Sequence, residues 1–283
     1  MSSTAWVQEV QHVLSKAAWT LQRFGLTPGK LRNRLLASSS PRIFCVSVPK
    51  AGTHLVERAI CLHPALYRRL MPTLDECNLD PALGLGGVLG KLDPGQLLVS
   101  HLFCTDRRVR DVSESGVRSI FVIRDPRDVV ISQSSYLMKM KKHRFHHAFS
   151  GQLDRKNAIR ISILGNENSG LPSIRAILDG MRGWMEHAGL VIRFEDLVGT
   201  GGGGSEQAQR DSLRRLFEFL EVDMDENWID ETARRVFSSA SPTFRKGRIN
   251  QWKRVFDQEL VDLFKEEAGQ PLIDYGYEKS LEW

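Results

Sequence analysis

Lys50, Gly52 and Thr53 stand between an apolar, β-branched run at 43–48 (Ile-Phe-Cys-Val-Ser-Val) and a helical pattern of Leu55, Val56, Ala59 and Ile60. This order predicts a buried strand that stops at Pro49, turns through Lys50-Ala51-Gly52 and enters a helix. Such a turn gathers backbone N–H groups at one point. The helix dipole favours negative charge there, and Lys50 adds a full positive charge, so the chemistry would be anion binding. From this segment alone, an ordinary strand–turn–helix with an exposed lysine reads equally well. It is not a Walker A loop: Gly-x-x-x-x-Gly-Lys-[Ser/Thr] is absent, and the lysine precedes the glycine.

Two further strand ends carry chemistry-bearing side chains. Ser119-Ile-Phe-Val-Ile123 predicts a strand ending at Arg124, after which Asp125 is a good N-cap and Pro126 suits the first helical position. The predicted helix carries Val129, Val130 and Ser132. Leu97-Leu-Val-Ser100 is a short apolar run ending at His101, which alone reads as a structural histidine at a strand end. Basic residues at strand ends beside helix starts are how an open α/β sheet collects ligand groups at the carboxyl ends of its strands.

The elements that must position these groups follow from pattern. Residues 4–24 place Trp6, Val10, Val13, Leu14, Ala17, Leu21 and Phe24 at helical spacing before Gly25, and a basic segment, 30–36, follows. We read 1–40 as an N-terminal helical extension and 41–283 as one domain. The extension either packs on that domain or lies at a lipid or partner surface; its polar face is not strongly basic, which favours packing. Residues 63–96 read as a long irregular connection, including a Gly-Leu-Gly-Gly piece at 84–87 that we read as loop. Residues 148–170 read as a flexible cover and 171–188 as helix. Leu190-Val-Ile-Arg-Phe194 reads as a strand and 199–205 as a Gly-rich linker. Helices are expected around 213–220, 228–237 and 258–268.

The 283 residues are enough for one large α/β domain, with 41% hydrophobic and 26% charged residues. A formal charge of +5 suits an anionic small substrate, an anionic glycan or a membrane surface. The pattern implies no nucleic acid. No apolar run reaches the length of a membrane span, and the N-terminus lacks the order of a signal peptide. Cys45, Cys61, Cys77 and Cys104 are widely spaced, without C-x-x-C or Cys/His metal spacing, so a reduced, cytoplasmic protein without metal is expected. Residues 139–147, Lys-Met-Lys-Lys-His-Arg-Phe-His-His, form the densest basic cluster. Such runs are mostly solvated faces; beside an active-site mouth this one could also collect an acidic acceptor.

Four segments in order resemble the sulfotransferases that use 3′-phosphoadenosine 5′-phosphosulfate (PAPS). Pro49-Lys50-Ala51-Gly52-Thr53-His54 is similar to the family's 5′-phosphosulfate loop. Arg124 through Ser132 resembles the segment in which an arginine at a strand end and a serine eight residues later hold the 3′-phosphate. Phe194-Glu195-Asp196 is similar to an aromatic-Glu-Asp piece after a late strand. Phe244-Arg245-Lys246-Gly247, followed by Trp252-Lys253, resembles the C-terminal loop that closes over the 3′-phosphate. The resemblance spans roughly 41–278. It implies a P-loop-like three-layer α/β fold, with a central, mainly parallel sheet flanked by helices. It also implies PAPS as co-substrate, PAP (the desulfated product) as leaving nucleotide and no metal.

On this resemblance His101 is the catalytic base, since Ser-His-Leu stands where Thr-His-Leu is usual, and Lys50 stabilises the leaving phosphate. The donor would be held by Lys50, Ala51, Gly52, Thr53, His54, Leu55, Arg124, Ser132, Phe194, Arg245, Lys246 and Gly247. PAPS has separate anionic ends; guanidinium groups grip phosphate bidentately, while a lysine acts as a point charge. The acceptor would be a hydroxyl or amine on a small molecule, glycan or lipid. This chain departs from the pattern at Val99 (usually lysine), Leu55 (usually an adenine-stacking tryptophan), His54 (usually a small hydroxyl residue) and Asn250-Gln251 (usually Gly-Asp). The family's dimer motif is absent, leaving the oligomeric state open. The rival readings are a non-catalytic PAP, PAPS or glycan binder and a kinase-like phosphoryl transferase, the latter lacking its Walker lysine and metal ligands.

Overall fold

The computed structural model describes residues 3–36, 39–151, 154–237 and 247–283. Five strands form its sheet: β1 (Ile43–Ser47), β2 (Tyr67–Arg68), β3 (Gln96–Ser100), β4 (Arg118–Ile123) and β5 (Leu190–Arg193). The order is β2-β3-β1-β4-β5 and every pairing is parallel. A parallel sheet needs crossovers that cover both faces, so its strands read as continuous apolar runs. Alternate side chains accordingly feed two cores. Phe44, Val46, Leu98, Phe121 and Ile123 face one, with Trp184, Phe264 and Tyr275. Ile43, Cys45, Leu97, Val99, Ile120 and Val122 face the other, with Ile60, Leu216 and Phe217.

Four strands fall where the sequence places them, but Phe194 leaves the sheet and opens the helix Phe194–Leu197. Three stretches differ from expectation. The region 63–96 contains β2 and the helix Gly84–Leu89, which buries Leu85, Val88 and Leu89 at helical spacing. Its glycines conceal the period and permit close packing: a Cβ on Gly86 would meet the Asp111 carboxylate of the helix Asp106–Ser115. Within 148–170 lies the helix Arg155–Leu164, capped by Asp154 and burying Ala158, Ile159 and Ile163. The Gly-rich 199–205 stretch is no free linker: Thr200–Gly202 forms a 3-10 turn, and Ile249 donates its N–H to the Gly202 carbonyl at 3.0 Å.

The N-terminal helix Ser3–Arg23 docks on the helix Thr53–Leu62 through its last turns. Gln22 donates to the Cys61 carbonyl at 3.1 Å, the Arg58 guanidinium lies 4.3 Å from the Trp19 ring, and Arg23 pairs with Glu57. On that helix Val13, Leu14 and, in the last turns themselves, Leu21 are exposed. Among the described residues no helix is long and apolar enough to cross a membrane.

Candidate functional site

Because β3, β1 and β4 are adjacent and parallel, His101, Lys50 and Arg124 emerge at the same edge of the sheet. After β1, Val48 keeps the ladder by donating to the Val122 carbonyl at 3.1 Å, and Ala51 closes a tight turn by donating to Val48 at 3.0 Å. Lys50 sits at φ 70° and Gly52 at φ 97°. Both lie in the left-handed region that side chains rarely occupy. Gly52 has a second constraint: a Cβ there would collide with the Phe194 ring. The helix Thr53–Leu62 begins with no side-chain cap; Leu55 donates its N–H to the Gly52 carbonyl at 2.8 Å, and the Thr53 and His54 amides remain available to an anion.

Lys50 extends over Tyr136, its Nζ 3.6 Å from the ring centre. Tyr136 lies one helical turn after Ser132 on the helix Pro126–Lys139, and Ser132 is partly exposed. Tyr136 was not singled out in the sequence; its i, i+4 spacing from Ser132 was the available signal.

His101 lies beside β1. Its Nδ1 is 2.8 Å from the Ser47 carbonyl and 3.2 Å from the Ser47 hydroxyl, which in turn contacts Thr53 Oγ1 at 2.6 Å. A carbonyl can only accept, so Nδ1 carries the proton and Nε2 keeps its lone pair. Burial pushes the imidazole down to about 4, against the opposing Ser47 bond. The group is therefore a neutral imidazole at neutral pH.

His54 is turned toward its own helix, with Nδ1 3.3 Å from Glu57 Oε2. Glu57 is buried and also receives Arg68 at 2.6 Å and Arg23 from the N-terminal helix. Burial alone would raise its carboxyl, but the His54 bond and the charges of Arg68 and Arg23 outweigh it and hold it at about 2. Leu55 is partly buried beside the second core.

Arg124 is 5% exposed and tied to both neighbouring segments. It donates to the Lys50 carbonyl at 3.4 Å and the Arg248 carbonyl at 2.8 Å, and stacks on the Phe194 ring at 4.3 Å. Among the described residues its Nε is buried without a hydrogen-bond partner. Asp128 Oδ2, 3.8 Å from Arg124 Nη2, also has none. An arginine donor left unsatisfied beside an uncapped helix start is a cradle suited to a phosphate-bearing group.

Arg127 is held by Asp125 and by Glu278 at 2.7 Å, between the rings of Trp252 (3.7 Å) and Trp283 (4.5 Å). Glu195 accepts the Asp125 N–H at 2.9 Å and the Tyr277 hydroxyl at 3.1 Å, and burial raises its carboxyl. The C-terminal segment is brought in by Gly247, at φ 55°, and by the Trp252 N–H donating to Asp128 Oδ1 at 3.0 Å. Arg245 and Lys246 lie outside the described residues. Arg248, whose carbonyl accepts from Arg124, was not singled out in the sequence.

The basic cluster lies against this site. The His143 ring stands edge-on to Tyr136, centroids 5.6 Å apart, and Arg144 Nη2 is 3.5 Å from Asp75 Oδ2. Asp75 follows Leu74, whose carbonyl accepts the His101 N–H at 2.7 Å. Among the described residues no cluster of His, Cys, Asp and Glu could hold a metal ion.

The fold is shared with solved structures. The mouse sulfotransferase SULT7A1 complexed with PAP superposes with a TM-score of 0.60 at 16% identity, covering 83% of this chain and 89% of that one. Retinol dehydratase with androsterone and the inactive cofactor PAP gives 0.53 at 17% identity, covering 86% and 84%. Retinol dehydratase with retinol and PAP gives 0.52 at 16% identity, covering 86% and 85%. No curated protein matches the sequence. Residues 40–276 match the sulfotransferase domain, and the chain belongs to that family.

Proposed function

We propose that the protein is a PAPS-dependent sulfotransferase that transfers a sulfuryl group to an acceptor hydroxyl or amine, residues 41–283 forming the catalytic unit and 1–40 its extension. One observation carries this reading: in a member of the sulfotransferase family, Lys50, His101 and Arg124 leave three adjacent parallel strands at one sheet edge, with Lys50 and Arg124 joined through the Lys50 carbonyl. When bound, PAPS supplies the sulfuryl group and departs as PAP.

Arg124, Ser132, Gly247 and the neighbouring Arg245 and Lys246 bind the 3′-phosphate end, with Phe194 backing Arg124. The amides at 52–54 and the Lys50 ammonium hold the phosphosulfate end, with Ala51 and Leu55 shaping the turn through their own bonds to Val48 and Gly52, and there fixed positive charge favours negative charge developing on the leaving oxygen. His101 takes the acceptor's proton at Nε2, because Nδ1 is committed to Ser47. His54 steadies the loop through Glu57. The apolar faces near Leu55 and Phe194 receive the adenine. The PAP-bound relatives support a small-molecule acceptor as one class, since retinol and androsterone occupy retinol dehydratase. Four unpaired cysteines support a reducing, cytoplasmic setting.

Calorimetric titration with PAP in the absence of metal tests the donor site. Binding that Arg124→Ala weakens is expected. No PAP binding, together with binding of ATP plus Mg²⁺, would replace this reading with a phosphoryl transferase.

A further inference from the structure

The basic cluster is not accounted for by the donor site, and its placement bears on the acceptor. The helix Pro126–Lys139 ends where the cluster begins, and the chain then folds back on that end: His143 donates its N–H to the Met140 carbonyl at 2.8 Å, and the His146 imidazole bonds the Leu137 carbonyl at 2.6 Å. His143 packs on Tyr136, which carries Lys50 on its face. Arg144 bridges to Asp75, next to the Leu74 carbonyl that holds the His101 backbone. Residues 139–147 and 73–76 are therefore two rims of one mouth that opens on Lys50 and His101.

The charge on these rims is unbalanced. Lys139, Lys141 and Lys142 are exposed, and among the described residues none pairs with a carboxylate. Exposed cations without a carboxylate partner among the described residues also occur singly elsewhere, as at Lys16 and Lys91, but here three fall within four consecutive positions. On the rims, Asp75 is engaged by Arg144 and Glu76 by Arg108. The excess positive charge thus stands at the mouth with no internal counter-charge.

We infer that the acceptor carries an anionic group besides the hydroxyl or amine that is sulfated, and that Lys139, Lys141 and Lys142 receive it. The inference rests on the sulfotransferase reading and narrows its acceptor from any alcohol to an anionic one. Each exposed contact is individually weak, but three acting together reach about tenfold in affinity at low salt, and screening removes most of that.

The test uses the full chain saturated with PAP, or with PAPS for turnover. Two matched pairs of probes are compared: 4-hydroxyphenylacetate against 4-hydroxyphenethyl alcohol, and chondroitin against carboxyl-reduced chondroitin. In at least one pair the anionic member is expected to bind and turn over about tenfold better at low salt, with the preference shrinking as NaCl is added. The Lys139→Glu/Lys141→Glu/Lys142→Glu variant should lose the preference while keeping wild-type PAP affinity; the milder Lys→Gln triple variant should fall between. The inference is overturned by equal or better use of the neutral members, by an unchanged preference in the Glu variant, or by PAP binding with no response to any probe. Failure to bind PAP at all would instead remove the donor reading on which it stands.

Discussion

The ammonium of Lys50 rests 3.6 Å from the centre of the Tyr136 ring, joining the loop after β1 to the helix after β4. A cation over an aromatic face is worth about 0.5–2 kcal/mol, depending on exposure. The contact fixes where the lysine's charge stands. Tyr136→Leu is expected to lower turnover about tenfold while leaving PAP affinity near wild type. Tyr136→Phe keeps the ring face and should restore most of the rate. Equal loss in both variants would point to the hydroxyl or to general packing instead.

Burial holds His101 at about 4, below its ordinary 6.5. A base works when unprotonated, so the acid limb of kcat/KM should fall near pH 4, with a plateau across pH 6–7. An acid limb at 6.5 would contradict this. His101→Ala should abolish transfer and spare PAP binding. The same depression bears on stability: the folded state resists protonation that the unfolded chain accepts. His101 therefore contributes stability above about pH 6.5 that is lost as pH falls toward 4.

Glu57 runs in the same direction lower on the scale. Its folded value of about 2 lies below the ordinary 4.5, so its contribution is complete above 4.5 and lost as pH falls toward 2. Glu57→Gln leaves Arg23 and Arg68 facing a neutral amide, and breaking such a buried pair costs about 3–5 kcal/mol. Denaturant unfolding should show that loss. The acid sensitivity between pH 4.5 and 2 should diminish in the variant. A fall below about 1 kcal/mol would mean the arginines find other partners.

Two glycines should not tolerate alanine. At Gly52 the backbone is left-handed and Phe194 fills the space a Cβ would need. At Gly202 a Cβ would strike the Gly247 carbonyl, displacing the segment whose Arg248 carbonyl holds Arg124. Both variants should lose PAP affinity by about tenfold or more, read by calorimetry. Gly29, with open space around it, is the control and should accept alanine.

The strand ends at 48, 100 and 123 were legible because a buried parallel strand writes itself as an uninterrupted apolar run that a Pro, His or Arg ends. The helix Gly84–Leu89 was not, because its glycines erase the local period, and one of them, Gly86, serves a contact with Asp111 on another helix. Nor was the Gly-rich 199–205 stretch, whose small residues look like a linker until Ile249 and Gly247 are set against them. Within the candidate site, single side chains at strand ends could be named from order alone. Their supports could not: Ser47 under His101, Tyr136 under Lys50 and Arg23 reaching Glu57 are separated by 34 or more positions and meet only through the fold.

Arg127, in the first turn of the helix that begins after Arg124, sits between Trp252 and Trp283. Indole emission responds to a nearby guanidinium and to small shifts of ring environment. Two of the six tryptophans thus form a built-in optical reporter at the donor segment. A nucleotide titration can be followed by intrinsic fluorescence, with no label attached, and Trp283→Phe would identify which ring carries the signal.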